Sequence, residues 1–520
     1  MKRHVLTFGA AALAIAVLAA SFYYSLQYAA PWARSWDEVD FALALDRFDL
    51  LAMQPHFPGY PYYILGGLFL HRWISDPVLA LSAFNAAMAL LSALPITLLA
   101  RRVVGLPSGL LIAALLSTTP YLWLMAARPM SECAGIAALW WCLWSVRESL
   151  ERPESRARHL VALVCFSLLM GIRLSFFPFG LLLVLLWGRR YRASKTSNSI
   201  RNRRLLASVG AAGLLQLIWV GGLAMSEGSP AGFWKLSAAF VEGHFSEWGG
   251  GVVATPMPFL ERVLHLFGSN LIGDAMLARS TGAGGLLLAL IVLLAVAWRM
   301  QKKAGVGESY SASQPASNSS ASNDRRFFIW LAGAAAFYAL WALFGQNIEK
   351  PRHIAPIVGP LLFLLYVGVF RTGAAYWQSR RLALMPIALF ATAISLLSLQ
   401  LVHGERLLQQ QAGEEPAVYQ LHRYLESQTT PFRLYTWEET RVLQYAGAEY
   451  EHARIYTYPY FRSAAEGLEG RRILLTDHVV GGFRSQGYDI SSQLREVAEF
   501  RSNSLFEPVY SRIKLYEYRE

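Results

Sequence analysis

Five carboxylates crowd one short stretch of this sequence. "SWDEVDFALALDRFDLLAMQPHFPGYPYYI", Ser35 to Ile64, holds Asp37, Glu38, Asp40, Asp46 and Asp49, and then a proline-stiffened turn around His56 and Tyr60. Carboxylates at this density can take protons, help to hold a cation, or simply solvate a loop. The cations that could answer them are scattered along the chain: Arg128 in "AARPMSE", Arg173 in "GIRLSFFP", and Lys350, Arg352 and His353 in "NIEKPRHIAPIVGPLL". An arginine fork keeps its charge and donates paired hydrogen bonds, which suits a phosphate. The bland alternative at each place is a charge snorkelling to a membrane interface.

The elements that must position these groups are membrane helices. The chain has 520 residues, of which 54% are hydrophobic and 16% charged, and a mean hydropathy of +0.32. A soluble protein of this length carries more charge and spreads its apolar residues. Here they fall in runs at about 5–30, 77–100, 106–126, 131–147, 159–172, 174–188, 204–225, 281–299, 327–345, 354–370 and 382–402, which predicts about eleven spans. The first run is too long for a signal-peptide core and lacks a small-residue cleavage site, so it reads as an uncleaved helix. The net charge of +12 is explained by basic loops rather than by nucleic acid. Arg101 and Arg102, "RESLERPESRARH", "WGRRYRASKTSNSIRNRR", Arg299 to Arg326 and Arg371 to Arg381 fall on the side of the N-terminus, which is then the cytoplasm. The acidic segment (31–76), a long loop (226–280), "GQNIEKPRH" and everything after about Val402 fall on the other side. Cys133, Cys142 and Cys165 lie in apolar runs and read as packing residues.

Within the acidic segment, Val39, Ala42, Leu43 and Leu50 recur at helical spacing, with Asp37, Asp40, Ala44 and Arg47 on the other face. That pattern predicts an amphipathic helix on the outer membrane surface, its carboxylates turned to water or a cavity. Pro58 and Pro61 predict the start of a second surface helix, whose free N–H groups suit an anion. The loop at 226–280 holds His244, Glu247 and Gly249 to Gly251, and reads as a lid or as a plain connector. "ESYSASQPASNSSASND", within a cytoplasmic linker at 300–326, has the composition of a low-complexity segment. From about Glu414 short β-rich runs ("FRLYTW", "ARIYTY", "RRILLTD") alternate with helical ones, and "VAEFRS" and "SRIKLYEYRE" close the chain as an antiparallel pair. The expected organisation is therefore a polytopic α-helical membrane region, 1–402, and a small extracytoplasmic α/β domain, 403–520, serving as a cap or docking unit.

"WDEVDFALAL" directly after a first membrane helix, "HFPGYP" downstream, and the many-span layout together resemble the GT-C superfamily of integral-membrane glycosyltransferases, which includes protein O-mannosyltransferases, aminoarabinose transferases and oligosaccharyltransferases. Phe57 departs from the His-Pro-Pro-Gly-Tyr-Pro element of one bacterial branch. The resemblance covers about 1–402 and implies inverting transfer of a sugar from a polyprenyl-phosphate carrier to an acceptor hydroxyl of an envelope glycan, lipid or protein at the outer leaflet. It assigns Asp37 as the base, or Glu38 if the motif maps one residue later, with Asp40, His56, Tyr60 and Glu132 shaping the site or binding the acceptor. Glu132 also reads as an acid favoured by a helix N-terminus. Arg173, Arg352, His353, Lys350 and Arg128 would hold the donor phosphate. His56 reads as a hydrogen-bonding residue rather than a ligand; no cofactor is required, and a divalent metal is compatible. The rival readings are a transporter or flippase of a lipid-linked substrate, which needs ionisable groups near the midplane and often internal repeats, and a non-enzymatic assembly protein.

The charge alternation makes one prediction. Reporter fusions after Arg204 and after Val402 should report opposite sides of the membrane; matching sides would break both the span count and the assignment of the acidic segment to the outer face.

Overall fold

A computed structural model describes residues 2–248, 250–252, 257–304, 318–379, 384–466 and 470–519. Helices occupy all eleven apolar runs. By length and composition seven can cross a bilayer, and an eighth if the bent pair Leu106–Ser117 and Pro120–Ala126, with 73° between them, is one span. The protein is thus a multi-pass helical membrane protein. The first helix, α1 (Lys2–Gln27), packs on Pro77–Val104 and Leu106–Ser117. Ser21 and Ser25 on α1 accept hydrogen bonds from the Trp123 indole at 3.0 and 2.9 Å, satisfying its one donor inside apolar surroundings.

Two short helices follow α1. The first, α2 (Trp36–Asp46), carries the acidic motif. It is not an amphipathic surface helix: Glu38, Val39, Asp40, Phe41, Ala42, Ala44 and Leu45 are all buried. Phe41, Ala44 and Leu45, spaced three and four apart, join the core of the helical bundle. Val39 and Ala42, on another face, join a second core with Leu421, Leu434, Val442, Leu443 and Ile513 from the C-terminal region. Covered on both sides, α2 has only its first turn left for a cavity. The second, α3 (Pro61–His71), begins at Pro61 as the spacing predicts. The turn before it is tight: Gly59 lies at φ +85°, and a Cβ there would come within 2.7 Å of the Leu223 side chain.

The low-complexity reading of 300–326 is corrected in part. Asn318 to Asp324 belong to the helix Asn318–Gly345, and Asp324 pairs with buried Arg147; 305–317 lie outside the described residues. The long loop is corrected as well. It is largely helical (Pro230–Gly243, then π-helical turns at His244–Trp248 and Leu264–Met276). Arg262, 1% exposed, anchors it by donating to the carbonyls of Leu343 at 2.6 Å, Gln346 at 2.9 Å and Gly250 at 3.0 Å. A cation there also meets the negative end of the helix Asn318–Gly345. The His244 ring lies 2.9 Å from the Gly345 carbonyl. The loop is therefore a docked cover rather than a plain connector; the Glu247 side chain and Gly249 are outside the described residues.

At the C-terminal end a five-stranded sheet has the order β2-β1-β3-β5-β4, with β1 Phe432–Thr436, β2 His452–Arg454, β3 Arg472–Thr476, β4 Leu494–Arg501 and β5 Arg512–Tyr518. β2, β1 and β3 are parallel, while β5 runs antiparallel to β3 and to β4, the β4–β5 pair being the one that the closing runs predict. Buried ionic contacts fasten this sheet to α2. Glu38 accepts from Arg128 Nε at 2.8 Å and Nη2 at 2.6 Å, and from the Arg34 backbone N–H at 2.5 Å. Arg128 also donates to the Phe506 carbonyl. Asp40 accepts from Arg441 Nε at 3.0 Å.

Removing one partner of such a pair strands a buried charge, at a cost of about 3–5 kcal/mol. Arg128→Ala should therefore lower the melting temperature in detergent sharply. Arg128→Met combined with Glu38→Gln should recover much of the loss. An Arg128→Ala protein as stable as wild type would show that the pair does not hold the sheet to α2.

Candidate active site

A cavity of about 700 Å³ opens where the bundle meets the sheet. Its walls come from the first turn of α2, the His56–Tyr60 turn, the segment Leu174–Gly180, the helix Pro230–Gly243 and its π turn, the stretch from Gln346 to His353, and the sheet. Of the residues singled out from the sequence, it gathers Asp37, His56, Tyr60, Arg173, Lys350, Arg352 and His353. It does not gather Glu38, Asp40, Arg128 or Glu132.

Asp37 is the α2 carboxylate that reaches the cavity, its side chain 28% exposed. Arg352 Nη2 lies 2.5 Å from its Oδ2. Burial alone would raise the pKa of this carboxyl. Arg352 above all, then His56, Lys350 and Arg173, overcome that and hold it well below the usual carboxylate range. Arg352 Nε also lies 3.1 Å from Glu132, and Arg173 Nη2 lies 2.8 Å from the same carboxylate oxygen. Neither Glu132 oxygen makes an aligned hydrogen bond among the described residues, so the contacts are ionic rather than clamped and leave arginine N–H groups for a ligand. Glu132, 1% exposed, therefore sits behind the cavity wall as a counter-charge to two arginines and does not face an acceptor. Arg173 also donates to Ser131 Oγ at 2.7 Å and lies 5.7 Å from the Tyr60 ring. Buried Asn85 fixes the turn bearing Arg128 and Glu132: its Nδ2 donates to the carbonyls of Arg128 at 2.6 Å and Met130 at 2.8 Å, and its Oδ1 accepts from the Ala134 N–H at 3.2 Å.

Three further expectations are corrected. Glu38 is 0% exposed and spent on Arg128, so it cannot stand in for Asp37 as a base. Arg128, spent on Glu38 and the Phe506 carbonyl, is a structural cation and does not line the cavity. Asp40 faces inward rather than water. It is 0% exposed and holds His56 Nδ1 at 3.0 Å, while His56 Nε2 meets the Tyr60 hydroxyl at 3.0 Å. Burial raises the pKa of both Asp40 and Tyr60. His353 presents a neutral ring: burial first, then Arg352 and Arg173, lower its pKa well below the ordinary value, and its Nδ1–H donates to the Asn347 carbonyl at 2.8 Å. Lys350 lines the cavity with no carboxylate within ion-pair distance among the described residues.

These donors do not fit a divalent cation. Both His56 nitrogens are engaged, Asp37 faces guanidinium and ammonium groups, and no group of three or more metal-type side chains exists among the described residues. What they do fit is an anion beside a carboxylate. The sequence reading missed one wall altogether: Trp437, Glu438, Arg454 and Tyr456 from the sheet line the same cavity. The signal was present in the aromatic residues directly after two β runs, "FRLYTW" and "ARIYTY", which parallel pairing brings side by side.

No protein-family model and no curated protein matches this sequence. Among solved structures, ArnT from Cupriavidus metallidurans bound to undecaprenyl phosphate matches with 12% identity and a TM-score of 0.52, over 97% of this chain and 97% of that one. The oligosaccharyltransferase of Archaeoglobus fulgidus in its apo form gives 12% identity and a TM-score of 0.48, over 89% of this chain and 69% of that one. Likeness to the first along nearly its whole length gives this chain the same overall fold as ArnT.

Proposed function

We propose that this protein transfers a sugar from a polyprenyl-phosphate carrier to an acceptor hydroxyl at the outer face of the membrane, with Asp37 as the base. The observation that carries the reading is the contact between Asp37 and Arg352 on the wall of one large cavity. A carboxylate able to take a proton and a cation able to take a phosphate stand side by side, as glycosyl transfer from a lipid phosphate requires. The ArnT structure of like fold holds undecaprenyl phosphate, which agrees with such a donor here. Phe57, Phe240, Phe245 and Trp341 give the cavity an aromatic side suited to prenyl carbons.

In this reading the donor phosphate rests on Arg352, Arg173 and Lys350, with the neutral His353 ring beside them. Asp37 takes the proton of the acceptor hydroxyl as its oxygen attacks the anomeric carbon. The bond from that carbon to the phosphate oxygen breaks, and the phosphate keeps the electron pair, stabilised by the arginines. Attack from the side opposite the phosphate inverts the anomeric centre. Arg352 has a double part. Without donor it pairs with Asp37 and weakens it as a base; a donor phosphate competes for the same guanidinium and restores basicity when there is a sugar to transfer. Asp40 holds the His56–Tyr60 pair in place and takes no proton from substrate.

Two measurements test this. Asp37→Asn keeps the side chain's shape but removes the base, so single-turnover transfer from radiolabelled polyprenyl-phosphate sugars to envelope fractions should fall about 10²–10⁴-fold with donor binding kept. Asp49→Asn, at a half-buried carboxylate paired with exposed Arg47 and away from the cavity wall, should leave transfer unchanged. Transfer by Asp37→Asn at the wild-type rate would remove Asp37 as the base.

The second measurement uses pH. A base with a depressed pKa is available above that pKa and is lost as pH falls through it, so the acid limb of wild-type kcat/KM for the donor, which reports the donor-free enzyme, should lie below the usual carboxylate range. Arg352→Ala removes the largest opposing influence and leaves burial, so its acid limb should move to higher pH. Its donor affinity should also fall about 10–100-fold, the worth of one charge-assisted hydrogen bond. An acid limb unmoved by Arg352→Ala would sink the proposed coupling.

A further inference from the structure

The sheet wall of the cavity holds a cation that nothing in the transfer step uses. β1 and β2 run parallel and side by side, Thr436 opposite Arg454, and both end at the cavity. Crevices at the carboxyl ends of parallel strands are where ligands bind in open α/β sheets, because chain leaving the strands there is free of the ladder and can turn its side chains outward. Trp437 and Glu438 follow β1 directly, Arg454 ends β2, and Tyr456 lies two residues beyond it. The Arg454 guanidinium carbon lies 4.4 Å from the Trp437 ring centre, 4.5 Å from that of Tyr456 and 4.7 Å from that of Trp36 on α2. Three ring faces around one guanidinium fix its plane and keep its charge.

What the cage lacks is an anion. Arg433, Arg441, Arg472 and Arg495 of the same region each meet a carboxylate. Among the described residues Arg454 meets none, and its Nε is buried without a hydrogen-bond partner. Glu438, the acid of this sheet wall, instead accepts from the Tyr510 hydroxyl at 2.6 Å. Tyr456 is 57% exposed, so aromatic surface remains for a ligand.

We propose that Arg454, held by Trp36, Trp437 and Tyr456, is an acceptor subsite that recognises an anionic sugar, its carboxylate or phosphate taken by the guanidinium and its ring packed on the aromatic side chains. The proposal rests on the glycosyl-transfer reading and names the class of acceptor. The donor's phosphate must lie beside Asp37, where Arg352, Arg173 and Lys350 already serve it; a second cation on another wall calls for a second anion, and the second reactant is the acceptor. Trp36 precedes Asp37 in the chain, so a sugar bound at the cage lies beside the turn that carries the base.

The test is binding to the full-length protein in nanodiscs, with trigalacturonate and mannose 6-phosphate as anionic probes, maltotriose as the neutral one, and undecaprenyl phosphate and diphosphate for the donor side. Wild type should bind at least one anionic probe and prefer it to maltotriose. Arg454→Ala should weaken that binding about 10–100-fold, and Arg454→Lys, which keeps charge but not the fork, should recover it in part. Undecaprenyl phosphate and diphosphate should bind all three proteins alike. Indifference of both anionic probes to Arg454→Ala, or their failure to bind wild type, would overturn the subsite. Loss of the diphosphate alone would reassign Arg454 to the donor. Equal weakening of every ligand with a lower melting temperature in both variants would make the cage structural. Failure of wild type to bind either undecaprenyl lipid, with the anionic probes still sensitive to Arg454, would count against the transfer reading and leave the anion subsite standing.

Discussion

Everything in the site depends on α2 staying where it is, and α2 stays because its carboxylates are divided among cations from different parts of the chain. Glu38 is buried against Arg128, and Asp40 against His56 and Arg441. Carboxylates on one buried helix repel one another and lose their hydration, so each needs its own counter-charge. Two of the three are met inside protein. The third, Asp37, is met by Arg352 at the edge of a cavity, where a substrate can reach the pair. A polar group in this position costs stability unless something answers it, so each carboxylate fixes the place of its own cation.

Behind the cavity wall the same logic appears with the sign reversed. Arg173 and Arg352 are both nearly buried, and Glu132 lies between them at 2.8 and 3.1 Å. Glu132 and Asp37 together balance the two guanidinium groups, and Lys350 adds a further positive charge to the wall. The excess is what an arriving phosphate would complete. In low-dielectric surroundings, with aromatic residues on the membrane-helix side, that attraction is stronger than it would be in water.

The C-terminal sheet is part of the same site rather than a lid laid over it. Val39 and Ala42 of α2 are core residues of the sheet region, while Phe41 and Leu45 belong to the bundle, and Arg128 reaches from one body into the other to the Phe506 carbonyl. A unit that buries residues of α2 cannot move freely while that helix stays still. Its aromatic and charged strand ends are therefore presented to the cavity at fixed distance from Asp37.

The sequence by itself determined the bilayer as solvent, the apolar runs, the start of α3 at Pro61 and the strands of the sheet. Each of these follows from local periodicity or from a residue that forbids the alternative, such as proline inside a helix. It also brought forward Asp37, Arg173 and Arg352, because buried charge in a membrane chain is rare enough to be informative. It did not separate Asp37 from Glu38 and Asp40. All three are acids on one short helix, and only the packing of a second body against α2 decides which of them reaches the cavity. For the same reason Arg128 and Arg352 read alike in the sequence, yet one is spent on Glu38 and the other stands at the cavity. Arg454 was invisible: an arginine in a short strand is ordinary until parallel pairing and docking onto Trp36 surround it with rings. Separation in the chain hid these outcomes, since Glu38 and Arg128 are 90 residues apart and Asp37 and Arg352 are 315 apart; partners so distant are chosen by the fold, and no local pattern records them.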